Sequence, residues 1–329
     1  MQQPEILAYL DHNVLNRILK GDPDDIKGLL KQNNLIAVFS DENLKEIHRS
    51  KGYEPAFLHL LEDIGAKYIE PVVDSKFKFT GQARIHTVKA SIVYDNFLEN
   101  RSESFHDDFG LSEMLKKFYG GQQDKSFKEI VDNGADELQR HLSEALNAVD
   151  SIPALGQFNK EEVKQMINNL PEMIKLLYAP MVNDLDAKEE PPIKALEEKT
   201  GVGPKILNNI KPPQVVQQIW ELISKDINHP NLQLETFFGI KAHHFEADAD
   251  RVRTLQEKVN AIYHQLNFLG YYRDSGIKKD KRFIASFSDM THAGIASFCH
   301  LFLCSDNDLV MKTAAAYEYL GVQTKIIQL

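Results

Sequence analysis

LAYLDHNVLNRI, residues 7–18, packs a strand, a carboxylate and the start of a helix into one short stretch. Leu7-Ala8-Tyr9-Leu10 is an apolar run of the length expected for a buried strand. Asp11 ends it. Val14, Leu15, Ile18 and Leu19 then recur at helical spacing and predict a helix from about His12 to Lys20. The nearest basic residue after Asp11 is Arg17, so a local ion pair does not account for a carboxylate at the mouth of a buried strand.

The same alternation continues outward. LIAVFS (35–40) predicts a second strand, and Ser40 suits the N-cap of a helix over 41–49. EPAFLHLLEDI (54–64) predicts a helix with Pro55 in its first turn, and AKYIEPVV (66–73) a third strand. The pattern returns at the far end. SDMTHAGIASFCH (288–300) predicts a helix capped by Ser288 or Asp289, and LFLC (301–304) a short strand. DLVMKTAAAYEYL (308–320) predicts a helix closed by Gly321, and VQTKIIQL (322–329) a last strand. Strand and helix in alternation imply an α/β fold, a parallel sheet flanked by helices. Between the two halves helical periodicity dominates, as in 134–149, 160–178, 212–227 and 248–270. The expected organisation is a discontinuous α/β domain, 1–74 and 284–329, split by a large α-helical insertion, 75–283.

Composition narrows the function classes. At 329 residues and 43% hydrophobic the chain can bury a sizeable core. No run of eighteen apolar residues occurs and MQQPEILAYLDHN lacks a secretory pattern, so no membrane span, no secretory signal and a cytoplasmic location are expected. Cys299 and Cys304 are too few for a disulfide framework and read as buried reduced thiols. A net charge of −10 argues against a general nucleic-acid coat, though not against a nuclease whose metal site is itself acidic.

In parallel α/β sheets functional groups gather at the carboxyl ends of strands. Asp11 lies just past the first strand. Glu46 stands six residues beyond Ser40, about one and a half turns into its helix. Asp306, with Asp308 two residues on, follows LFLC, and Asp289 is expected at the start of the helix leading into it. Taken singly, Asp289 reads equally well as an N-cap, Asp306 and Asp308 as turn residues, and Glu46 as a solvated helix charge. Together they bring four acids to one edge. Carboxylates that close raise one another's pKa, and a divalent cation removes the penalty. Hard oxygen donors without a Cys/His cluster favour Mg²⁺ or Mn²⁺.

Asp11 in LAYLDHNVLNRI, Ser40 with Glu46 in VFSDENLKEI, Asp289 in SDMTHAGIASFC and Ser305-Asp306 in LFLCSDNDLV resemble, in order and approximate spacing, the PIN-domain nucleases. The resemblance covers roughly residues 5–74 and 284–329. It implies a PIN-like parallel sheet and a metal-dependent endoribonuclease, of a kind found in toxins, RNA processing and decay, and bacterial defence. Asp11, Glu46, Asp289 and Asp306 would hold Mg²⁺ or Mn²⁺, with Asp308 as a further ligand and Ser305 in support. The insertion departs from a compact PIN domain.

Other features bear on the substrate. YYRDSGIKKDKRF (271–283) carries Arg273, Lys278, Lys279, Lys281 and Arg282 beside Tyr271 and Tyr272, a pattern that suits phosphate contacts and base stacking as well as a solvated loop with packed tyrosines. His292, three residues after Asp289, shares its helix face and is a supporting residue for a phosphate or a metal; His12 adjoins Asp11. EEKTGVGPKILNNI (197–210) resembles the hairpin of helix-hairpin-helix DNA-binding motifs, with a plain helix joint as the simpler reading. It keeps a flap-type DNA nuclease as an alternative to RNA cleavage; a non-catalytic RNA-binding module is a separate alternative, against which the retained acids count. His243 and His244 lack partners at metal spacing. Asn13 stands where a haloacid-dehalogenase-type phosphatase needs a second Asp, and no Walker motif occurs. The amphipathic helices of 75–283 suit a homodimer, a regulatory partner or an internal core equally.

Overall fold

The computed structural model describes residues 5–100, 110–149, 160–227, 232–242 and 251–329. His243 and His244 lie outside the described residues. Strand β1 (Ile6–Leu10) is the centre of the sheet, hydrogen-bonded on one side to β2 (Leu35–Phe39) and on the other to β5 (Leu301–Cys304). Ala8, Tyr9 and Leu10 are buried, which is why the strand reads as a continuous apolar run rather than an alternating one. Helices α1 (His12–Leu19), α2 (Ile26–Gln32), α3 (Asp41–Arg49) and α4 (Glu54–Asp63) pack the first half of the sheet. Val14, Leu15, Leu44, Ile47 and Phe57 meet Ala8, Leu10 and Phe39 in one core.

The sheet has six strands in the order β4-β3-β2-β1-β5-β6, where β3 is Lys67–Val73, β4 Phe79–His86 and β6 Lys325–Gln328. Every neighbouring pair is parallel except β3–β4, which is antiparallel, so the sheet is mixed where an all-parallel one was expected. The β3–β4 hairpin turns on Asp74, whose carboxylate accepts from the backbone N–H groups of Lys76 (2.8 Å) and Lys78 (3.0 Å). β4 is exposed over most of its length, and an edge strand without a buried face carries no apolar signal for sequence reading to detect. The expected break at residue 74 therefore falls inside a hairpin.

Contacts divide the chain into two units. The first takes in the described residues of 1–101, 199–275 and 284–329. Besides the sheet it includes helix α5 (Ala90–Asn100), α10 (Pro204–Leu207), α11 (Val215–Ile223), α12 (Leu234–Phe237), α13 (Leu255–Leu269) and α15 (Asn307–Leu320). Much of the stretch expected as an insertion thus packs with the sheet. Helix α13 starts at a capping box, in which the Thr254 N–H donates to Glu257 (2.7 Å), and stops at Gly270 with φ +109°. The second unit takes in the described residues of 102–198 and 276–283, with α6 (Leu111–Phe118), α7 (Phe127–Val149), α8 (Lys160–Asp186) and most of α9 (Pro192–Thr200). Its core joins Phe127, Val131 and Val182 to Met114, Phe118, Ile174 and Leu185. Asp186 accepts from the N–H groups of Phe127 (2.7 Å) and Lys128 (2.9 Å), so the last turn of α8 caps the first turn of α7. Helix α14 (Asp280–Ala296) runs across the chain boundary between the units. Among the described residues no helix is long and apolar enough to cross a membrane.

Candidate metal centre

The strand order places a reversal between β1 and β5: the chain runs outward from β1 through β2 and β3 on one side, and β5 leads to β6 on the other. Beyond the carboxyl ends of two such strands lies the crevice where α/β sheets hold ligands. Asp11 is at that end of β1. Its N–H still donates to the Leu303 carbonyl of β5 (3.0 Å), and its side chain is 1% exposed. The carboxylate atom Oδ2 is buried and has no hydrogen-bond partner. Burial pushes the Asp11 carboxyl up to about 6, against the pull of a positive His292.

Helix α3 brings Glu46 to the same edge. Its cap residue Ser40 donates its N–H to Asn43 Oδ1 (2.9 Å), and the Asn43 amide donates to the Leu10 carbonyl (3.0 Å), locking the first turn of α3 to the end of β1. His292 comes from α14. The helix begins at Asp280 rather than at Ser288 or Asp289, because nothing between Phe283 and Phe287 breaks it. Ser288, Asp289 and His292 are therefore interior helix residues, and Asp289 is not an N-cap.

The His292 imidazole is fully buried. Its Nε2 meets Glu46 Oε2 at 2.8 Å and its Nδ1 meets the Tyr9 hydroxyl at 2.6 Å, which in turn meets the Ser40 hydroxyl at 2.7 Å. Burial alone would lower the pKa of His292, but the charge and hydrogen bond of Glu46, with the Asp11 charge, lift it to about 9. Burial would likewise raise Glu46, whereas His292, His12 and Arg49 hold it below its ordinary value. One ligand atom from each of Asp11, Glu46 and His292 lies within 4.8 Å of the others. Two carboxylates and an imidazole at this spacing, one carboxylate oxygen buried without a partner, fit a divalent cation; the imidazole tilts the donor set from Mg²⁺ toward a first-row ion such as Mn²⁺.

The expected acids divide. Asp11 and Glu46 meet; Asp289, Asp306 and Asp308 are not within that group. Asp289 still shares its field. Burial, and after it the Asp11 and Asp274 charges, raise the Asp289 carboxyl well above its ordinary value. Asp306 is exposed and caps α15, accepting from the N–H groups of Asp308 (2.7 Å) and Leu309 (3.1 Å), so its bland role is filled. Burial and Asp306 raise Asp308. Ser305 is half-buried beside them. His12, expected only as a neighbour of Asp11, meets the Ser50 hydroxyl (3.3 Å) and packs on Phe57.

The basic segment is divided between the two units. Arg273 turns inward and donates to the Asn267 (3.2 Å) and Phe268 (2.9 Å) carbonyls at the end of α13, a cationic C-cap. Tyr271 is buried, which removes it from base stacking. Lys278, Lys279, Lys281 and Arg282 are exposed and belong to the helical unit. In 197–210, α10 is a single turn with Leu207 buried, the form of a plain helix joint.

Two features went unread in the sequence. Tyr9 supplies the hydroxyl joining Ser40 to His292. Lys312, fully buried on α15, meets Asp274 (2.5 Å) and Asn267 (3.1 Å) and lies over the Tyr263 ring at 4.8 Å. Its signal was present: Lys312 stands in the apolar stripe Leu309, Thr313, Ala316. No family model, curated protein or solved structure matches the chain.

Proposed function

We propose that the chain is a metal-dependent nuclease of the PIN-like kind, with RNA as its substrate, and that the carboxyl ends of β1 and β5 form its active edge. In this reading residues 5–74 and 284–329 are the PIN-like portion and the residues between them elaborate it. The observation that carries the proposal is the convergence of Asp11, Glu46 and His292 within 4.8 Å around a buried carboxylate oxygen that no protein group satisfies. Such a donor set from residues so distant in the chain, at the reversal of strand order, supports a bound ligand beside the His292–Glu46 ion pair, since that pair leaves the Asp11 oxygen unsatisfied.

Asp11, Glu46 and His292 would hold Mg²⁺ or Mn²⁺, Mn²⁺ by preference; when bound, such an ion lowers the pKa of water and stabilises the leaving oxygen of a phosphodiester. Tyr9 fixes the orientation of the imidazole through Nδ1, leaving Nε2 toward Glu46; the Nε2 proton gives its place to an ion held there and is released to water. Burial, with the Asp11 and Asp274 charges, raises the Asp289 carboxyl above its ordinary value, the direction a general acid at this edge would need. Asn43 and Ser40 hold the edge rigid.

Purified protein incubated with single-stranded RNA and Mn²⁺ is expected to cleave it, and Asp11→Asn to lose at least a hundredfold in rate. Equal cleavage by the variant, or none by the wild type with Mn²⁺ or Mg²⁺, overturns the proposal. Branched DNA in a parallel reaction separates the substrate classes.

A further inference from the structure

Helices α13 and α14 have a second face. Asn260 and His264 of α13 and Phe287 and Met290 of α14 line a cleft of about 560 Å³, together with Phe237, and with Arg251 paired to Glu257 (2.5 Å). That volume is in the range of small-ligand sites. All of these residues belong to the sheet unit.

Two of the cleft's features point to a ligand, and a third, Gly294, shows how the amide is packed. First, Asn260 Oδ1 and His264 Nε2 are buried and have no hydrogen-bond partner, and a buried polar atom left unsatisfied is destabilising. Gly294 leaves open the space the Asn260 amide occupies: a Cβ there would meet Oδ1 at 2.2 Å and Cγ at 2.9 Å. The amide is thus accommodated by a glycine on the neighbouring helix. Second, the walls are aromatic. Phe287 lies 5.8 Å from the His264 ring and Phe237 packs on Trp220 at 5.2 Å, both partly exposed. Burial lowers the His264 pKa, so its imidazole is neutral near pH 7 and offers one donor and one acceptor.

An aromatic-walled cleft with an amide and a neutral imidazole matches one ligand chemistry. We propose that it binds a single unpaired nucleobase, stacked on Phe287 and Phe237, its polar edge read by Asn260 and His264. Sugars would not use the aromatic faces in this way, and a purely apolar ligand would leave the two polar atoms unsatisfied. Ser288, Asp289 and His292 lie on the opposite side of α14 from Phe287, Met290 and Gly294, so one helix serves both clefts. The inference sits beside the nuclease reading and does not depend on metal.

The test is titration of the full chain in EDTA with AMP, GMP, CMP and UMP, and with a short single-stranded RNA, followed by calorimetry. At least one nucleotide is expected to bind, and Asn260→Leu and His264→Phe to weaken it at least tenfold while the thermal midpoint and Mn²⁺ binding hold. Tighter binding of the oligonucleotide assigns the pocket to a strand; equal binding assigns it to a free nucleotide. Absence of binding by every probe, or unchanged binding in both variants, overturns the inference. If the variants fail to fold, Phe287→Ala serves in their place. Asp11→Asn should bind nucleotides as the wild type does, so loss of cleavage and loss of base binding can be told apart.

Discussion

Replacing Asp11 by asparagine should stabilise the metal-free protein at neutral pH. The carboxyl is held at about 6 in the folded chain against an ordinary 3.8, with burial as the main cause. At about 1.4 kcal/mol per tenfold, ionising it in the folded state costs about 3 kcal/mol. The sign follows from proton uptake. Between pH 3.8 and 6 the unfolded chain has released a proton that the folded chain retains, so stability falls as pH rises; the deficit is complete above pH 6 and absent below 3.8. The amide of Asp11→Asn keeps the shape and removes the charge. Urea unfolding in EDTA should therefore give similar midpoints near pH 4 and a higher midpoint for the variant at pH 8, by up to about 3 kcal/mol at unchanged slope. Mn²⁺ at a thousand times its Kd should reverse the order, since it adds about 4.1 kcal/mol to the wild type alone. A variant less stable than the wild type at pH 8 in EDTA would refute the reasoning, because it would mean that the carboxylate serves a protein partner.

Further outcomes follow from the neighbouring groups. Glu46→Gln removes the chief charge lifting His292, so the imidazole, observed by NMR, should titrate well below about 9; in the wild type the stability that His292 contributes is present below its ordinary 6.5 and lost as pH rises through 9. Lys312→Met strands Asp274 in the interior and should cost about 3–5 kcal/mol in denaturant unfolding, whereas Lys312→Met with Asp274→Asn should recover most of it. Asp306→Asn retains an effective cap for α15, so a loss of cleavage with an unchanged unfolding midpoint would assign the residue to the active edge, while Asp306→Ala should lose about 0.5–2 kcal/mol as well.

The order of strands and helices was legible because the central strands are buried on both faces and the helices beside them amphipathic. LAYL, LIAVF and LFLC announce themselves, and Ser40 and Gly321 mark ends that the backbone confirms. What sequence could not supply was identity of place. β4 has no buried face to pattern it, and the start of α14 was misread because Ser288 and Asp289 look like cap residues yet stand in an unbroken helix. Asp11 and Glu46 were readable as acids at strand ends. His292 was legible only as a neighbour of Asp289, since its weight comes from distance in space to Glu46, and the Lys312–Asp274 pair came from two elements with no shared motif.

The sheet also imposes a clock. Glu46 and His292 are separated by 246 residues, and a ribosome adding about 5–20 residues per second needs about 12–50 seconds to travel from one to the other. Throughout that interval β1 has β2 on one side and nothing on the other, because β5 has not been made. The nascent chain carries two carboxylates without the imidazole that completes their set, and an open strand edge that invites wrong pairing or a chaperone. Only after α14 and β5 emerge does the edge close and the third donor arrive. A chain with this order cannot assemble its centre while it is still being synthesised through the helical unit, and any truncation before residue 292 leaves it unmade.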